Sequence, residues 1–184
     1  MAVGLLSLSS DPVFGKGNPY PWRKVTKPDE IYHLDGLIVA GSSIRDLQDF
    51  LAENRLLEPI KERARQGMPL WGIQAGLYLM AKRRPDGAWA SLDLMDAAAA
   101  WEEGLGKFTV PLHIQALGPE PVGGIFDGFP YLSRVEPQVG IMAYYREKIV
   151  MARQGNLLAS AFRPQPGEER PLNYFLQMVR ENQE

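Results

Sequence analysis

The chain has 184 residues, 45% hydrophobic and 23% charged, which excludes disorder and a collagen-like fibre and leaves a single globular domain over residues 1–184. Its 20 basic and 22 acidic side chains give a formal net charge of −2, without the basic excess expected of a nucleic-acid protein. There is no cysteine and there are only two histidines, His33 and His113, so disulfides, a thiolate nucleophile, metal sites and bound cofactors are not expected.

Val3–Leu8 reads as a short buried strand. It is too short for the apolar part of a signal peptide and has no basic residues before it. No stretch approaches the roughly 18 to 20 apolar residues of a membrane span, so the expected location is the cytoplasm. Residues 9–21 hold Pro12, Gly15, Gly17, Pro19 and Pro21, which exclude a helix, and 22–26 fits a short edge strand. Residues 37–39 form a second buried strand, followed by Ala40-Gly41-Ser42-Ser43. Ile44, Leu47 and Leu51 then share a helical face, with Ser42 or Ser43 as N-cap. A second helix runs from Leu57 and stops at Gly67.

Residues 69–73 predict the next strand and 75–82 a helix. Strands follow at 108–115, 139–144, 148–153 and 157–162, with Gln154-Gly155-Asn156 as a tight hairpin turn. After a proline-rich loop, a last helix begins near Pro171 and lines up Leu172, Phe175, Leu176 and Val179. Strands alternating with helices, then hairpins and a closing helix, predict an α/β fold with a mainly parallel sheet covered on both faces.

The informative segment is Pro69-Leu70-Trp71-Gly72-Ile73-Gln74-Ala75-Gly76-Leu77-Tyr78. A strand running through Gly-x-Gln-x-Gly into a helix has the layout of a nucleophile elbow, in which glycines permit a very tight turn. The residue at its apex is glutamine, which is no nucleophile at neutral pH. From spacing alone, an ordinary tight strand-to-helix turn is the favoured reading of the two glycines.

Three further segments, Leu34-Asp35-Gly36-Leu37-Ile38-Val39-Ala40-Gly41, Leu56-Leu57-Glu58-Pro59-Ile60-Lys61 and Ile149-Val150-Met151-Ala152-Arg153-Gln154-Gly155-Asn156, widen the comparison. With the elbow, Ala161-Phe162-Arg163-Pro164-Gln165 and Tyr174-Phe175-Leu176-Gln177-Met178-Val179, they resemble class I glutamine amidotransferases. They look most like the glutaminase subunit of pyridoxal 5′-phosphate synthase, across about residues 34–84 and 141–180. The resemblance implies a flavodoxin-like three-layer α/β/α fold, with the first helix of the family missing from residues 11–21. It also implies a Cys-His-Glu triad, in which the cysteine attacks the glutamine side-chain amide. Carried over, the cysteine position is Gln74, the histidine position Arg163 and the glutamate position Gln165. Arginine stays protonated and cannot serve as a base.

Other family segments differ as well. The loop that helps hold glutamine reads Ala40-Gly41-Ser42-Ser43-Ile44, the Gln-Gly after the first strand reads Ser9-Ser10, and residues 98–107 lack the expected arginine. Gly41, Ser42, Ile73, Gln74 and Arg163 are the candidate ligand-binding residues. Arg83 and Arg84 are weak candidates for an anion site with Arg163, since nine helical residues at 1.5 Å each would put them about 13 Å away. Asp93, Asp96, Glu102 and Glu103 read as a solvated acidic loop, and His33 and His113 as structural.

These substitutions lead to the expectation of a non-enzyme: a catalytically inactive homologue acting as a binding, scaffold or regulatory protein. The alternatives are a glutaminase subunit working through non-standard residues, or a small-molecule sensor reusing the elbow pocket. The partners expected are a pyridoxal phosphate synthase subunit or a second copy of the chain, with no nucleic acid and no membrane. Phe14, Tyr20 and Trp22 are expected either to fold back over the sheet or to form an interface with a second chain.

Overall fold

Continuous apolar runs build the centre of the molecule. In the computed structural model, which describes residues 1–9, 11–85, 87 and 90–184, the run Gly36–Gly41 (β3) is buried at every position. So is Leu70–Gln74 (β4). Strands covered on both faces have no solvent side, which is why they read as unbroken apolar segments rather than alternating ones. Val3–Leu8 (β1) and Arg23–Lys24 (β2) lie to one side of this pair, and Leu157–Ser160 (β10) to the other. The order β2-β1-β3-β4-β10 is parallel throughout.

The helices of this half follow the expected chemistry. Pro28–Ile31 (α1) precedes β3, and Ile44–Glu53 (α2) and Leu57–Arg65 (α3) join β3 to β4. The Asp46 N–H donates to Ser43 Oγ at 3.2 Å, so Ser43 caps α2. Ala75–Met80 (α4) follows β4 without a linker and is buried along its whole length. Arg170–Glu181 (α5) buries Leu172, Phe175, Leu176 and Val179 together, with Pro171 in its first turn. A fully buried side chain of this size contributes about 1.5–3 kcal/mol.

The other half is antiparallel except at one short edge strand, and it is larger than the sequence implied. Met95–Leu112 (β6) runs for 18 residues and pairs antiparallel with Val122–Val135 (β7), neither of which was foreseen in full. Gly140–Tyr145 (β8), Lys148–Gln154 (β9) and β10 complete two hairpins. The Gln154-Gly155-Asn156 turn is present, with Gly155 at φ +56°. Two short strands, Ala81–Arg83 (β5) and Arg163–Pro164 (β11), add to β6 and β7.

Three expectations need correction. The helix expected to reach residue 82 ends at Met80, because Ala81 turns extended and pairs with Met95. The acidic residues do not form a solvated loop: Asp96, Glu102 and Glu103 belong to β6. Asp96 is paired with Lys82, Glu102 with Lys148, and Asp93 with Arg84 at 2.9 Å. Finally, the sheet is mixed: its five-strand core β2-β1-β3-β4-β10 is parallel as expected, the short β5 also pairs parallel with β6, and the remaining pairings are antiparallel.

Residues 11–22 contain no helix, and their aromatic side chains fold back on the sheet. Phe14 stacks on Trp22 with ring centroids 5.1 Å apart and meets Trp71 at 5.7 Å. Trp71 in turn meets Phe175 of α5 at 5.7 Å. Of the two expectations for Phe14, Tyr20 and Trp22, the chain itself supplies the cover. No described helix is long and apolar enough to cross a membrane.

Candidate functional site at the strand-to-helix elbow

The parallel register brings the strand ends to one edge. Ser7, Ala40, Ile73 and Ser160 are neighbours in a row across β1, β3, β4 and β10. One residue further, Leu8, Gly41 and Gln74 form the next row. The loops leaving these strands therefore share the carboxyl edge of the sheet, where ligands bind in open α/β proteins. Gly41, Ile73 and Gln74 are brought together there by the hydrogen-bonded ladder, and Ser42 follows Gly41 in the chain.

The elbow is as tight as its glycines imply. A Cβ on Gly76 would lie 2.0 Å from the Val39 carbonyl oxygen, and one on Gly72 would lie 2.6 Å from the Gly76 carbonyl oxygen. Side chains at these positions are excluded by backbone. Gln74 itself sits at φ +56°, ψ −111°, an unfavourable conformation for a residue with a Cβ. Strain of this kind costs of order 1–3 kcal/mol and persists where the surroundings enforce it. The Gln74 side chain is 1% exposed, and its Nε2 is buried without a hydrogen-bond partner. A buried amide left unpaired costs about 1–3 kcal/mol, so this position carries two unfavourable features at once.

Beside the elbow, a buried polar chain links β4 to β10. Trp71 Nε1–H donates to Ser160 Oγ at 3.0 Å, and Ser160 Oγ–H donates to the Phe162 carbonyl at 2.9 Å. Arg163 follows directly, 5% exposed, and its Nη2 donates to Asp11 Oδ2 at 3.0 Å. Lys107 Nζ donates to the same oxygen. The Lys107 ammonium hydrogen-bonded to Asp11 is the main cause that holds this carboxyl below its ordinary value, and Arg163 adds to it.

The remaining candidates lie elsewhere. Gln165 is exposed; its backbone N–H donates to the Gly123 carbonyl at 2.8 Å, and its side chain lies over Gly123. Arg83 pairs with Glu136 and Arg84 with Asp93, so neither joins Arg163 in an anion site. His33 and His113 are exposed. Of the Ser9-Ser10 pair, Ser10 lies outside the described residues, whereas Ser9 Oγ is buried without a partner. No cluster of three potential metal-ligating side chains occurs among the described residues. Asp11 and Lys107 escaped the sequence reading. The available signal was modest: Asp11 is the one acidic residue in the segment that follows the first strand.

A parallel α/β core ending in a strained elbow is the architecture of the class I glutamine amidotransferases. A crystal structure of a glutamine amidotransferase superposes with a TM-score of 0.85 at 25% identity, covering 97% of this chain and 99% of the other. The chain belongs to the SNO glutamine amidotransferase family, whose model matches residues 14–181. Pyridoxal 5′-phosphate synthase subunit PdxT of Roseiflexus sp. (strain RS-1) is 35% identical over 191 aligned positions, covering 97% of this chain and all of that protein. The protein of the same name from Carboxydothermus hydrogenoformans is 34% identical over 160, covering 85% of this chain and 84% of its own length.

These relatives correct one expectation. The non-enzyme reading, drawn from Gln74, Arg163 and Gln165, is overturned by membership of an amidotransferase family and by curated relatives that are subunits of a synthase. What the sequence does establish is narrower: with no cysteine in the chain, no thiol of its own can act as nucleophile.

Proposed function

We propose that this chain is the glutaminase-type subunit of a pyridoxal 5′-phosphate synthase, working through non-standard residues as one amidotransferase-like domain over residues 1–184. Gly41, Ser42, Ile73, Gln74 and Arg163 form its binding pocket, and a synthase subunit is its partner. The observation that carries the reading is the elbow: a strained, buried Gln74 with an unpaired amide, at the carboxyl edge of an amidotransferase fold. The family match and the names of the relatives support it.

The absence of cysteine constrains the chemistry. No protein thioester can form, so in this reading water attacks the side-chain amide carbon of glutamine directly and the proton it loses passes to the leaving nitrogen. The C–N bond breaks to give glutamate and ammonia, with Gln74 Nε2–H as a donor available to the amide oxygen. Arg163 takes no proton; its role is to hold negative charge.

The test is ammonia release from glutamine by the purified chain, with and without a pyridoxal phosphate synthase subunit. Release is expected with the partner present and is insensitive to thiol-alkylating reagents. A rate at background in both mixtures would reject the glutaminase reading. A glutamine-induced thermal shift without ammonia would instead favour a sensor that uses the same pocket.

A further inference from the structure

The Asp11–Arg163 pair crosses more of the molecule than its sequence position suggests. Asp11 follows β1, and Arg163 follows β10. In the order β1-β3-β4-β10 these strands are three steps apart, about 14 Å at the usual strand spacing. The pair therefore closes across the width of β3 and β4, at the edge where their last residues, Gly41 and Gln74, lie.

Two cations meet on one carboxylate oxygen here, and the three groups differ in their access to water. The Arg163 side chain is 6% exposed, whereas those of Asp11 and Lys107 are 46% and 51% exposed. A buried guanidinium requires an anionic or polar partner. The one that meets it comes from a loop open to solvent, where an ion pair is screened and easily exchanged. Under the same edge, Gln74 Nε2 and Ser9 Oγ are buried and unpaired. A cavity of about 380 Å³ runs along the loop, lined by Ser7, Ser9, Asp11, Phe14 and Trp22.

We infer that Asp11 is an internal stand-in for the carboxylate of a small-molecule ligand, and that residues 11–17 form a strap which this carboxylate releases. A carboxylate arriving from solvent replaces Asp11 on Arg163 and Lys107. The freed loop then moves off the carboxyl edge and opens the way to Gln74. The inference rests on the elbow pocket being the binding site. It names the ligand class, a small carboxylate, and an ordering in which binding and strap release are one event. The strap is thus a competitor built into the chain, and it lowers apparent affinity by the fraction of time it stays latched.

The probe is glutarate, which carries carboxylates but no amide, so the result does not depend on whether the chain releases ammonia. Trypsin cleavage after Lys16, an exposed residue of the strap, is followed by mass spectrometry at matched ionic strength. Glutarate is expected to accelerate this cleavage saturably, and Asp11→Asn to accelerate it without glutarate while tightening glutarate binding about 10-fold. Cleavage indifferent to glutarate in the native chain, or weaker binding in folded Asp11→Asn, would overturn the inference. If Asp11→Asn fails to fold, Lys107→Gln loosens the latch from its exposed side. Faster cleavage after Lys16 is expected there too, and an unchanged rate counts against the strap.

Discussion

The parallel half and the antiparallel half of the sheet solve the same packing problem by different means. In the parallel half, β3 and β4 are buried on both faces, and backbone lies so close to backbone that Gly72 and Gly76 admit no side chain. In the antiparallel half, rings fill the space between strands. Phe126 is fully buried and meets Phe108, Phe129, Tyr145 and Phe162 with centroids 4.9–5.8 Å apart. The first half is held together by close main-chain packing, the second by interlocking side chains. The strained elbow falls in the first, where the surroundings can hold an unfavourable backbone conformation in place.

This contrast is open to direct challenge. The largest effect is expected for Gly76→Ala, whose new Cβ would collide with the Val39 carbonyl oxygen. A loss of about 4 kcal/mol or more is anticipated in urea unfolding, or no folded protein at all. Phe126→Ala removes the centre of the aromatic cluster and is expected to cost about 3–5 kcal/mol by the same measurement. If the glycine substitution proved the milder of the two, main-chain constraint would not be what distinguishes the parallel half.

Gln74→Gly reverses the usual direction. It relieves the positive φ and removes the unpaired Nε2, offsetting lost side-chain packing, so stability should rise by about 1 kcal/mol in thermal unfolding. A fall in Tm would show that position 74 is not strained.

The smallest effect concerns Asp96 in the antiparallel half. Hydrogen bonds first from Lys82, then from Gln138 and Gln154, lower its pKa from 3.8 to about 2. The folded state thus holds this carboxylate ionised more tightly than the unfolded chain does. Its contribution is present above pH 4 and is lost as pH falls towards 2. Because the main partner, Lys82, is half-exposed and the pair is screened by solvent, the contribution is small. Urea midpoints of native protein and Asp96→Asn should converge between pH 4 and pH 2; a constant gap would remove Asp96 from the account.

What was legible in the sequence follows the same division. The strand around residues 37–39 and the strand before the elbow could be read because doubly buried strands are uninterrupted apolar runs, and Val3–Leu8 because its apolar run is broken only by the exposed Ser7. β6 could not. Its run from Met95 to Leu112 combines four consecutive alanines, two glutamates and two glycines at positive φ, and it is held by its pairing with β7 rather than by a pattern of its own. The acidic residues 96, 102 and 103 looked like a loop for that reason. A tight turn was readable from Gly72 and Gly76, where close backbone approach leaves no room for a side chain, but it took the wider family resemblance to read it as an elbow. The partners of Arg163 were not, because Asp11 and Lys107 reach it from distant parts of the chain.

By itself, then, the sequence determined the absence of a thiol nucleophile, the tight elbow and the parallel core, all of which are local properties of composition and spacing. Only the tertiary structure decided that the loop after β1 folds back as aromatic cover. It alone brought Asp11 and Lys107 onto Arg163 and left Gln74 buried with an unpaired amide. Those outcomes depend on which strand ends share an edge, and that order is set by pairing between segments far apart along the chain.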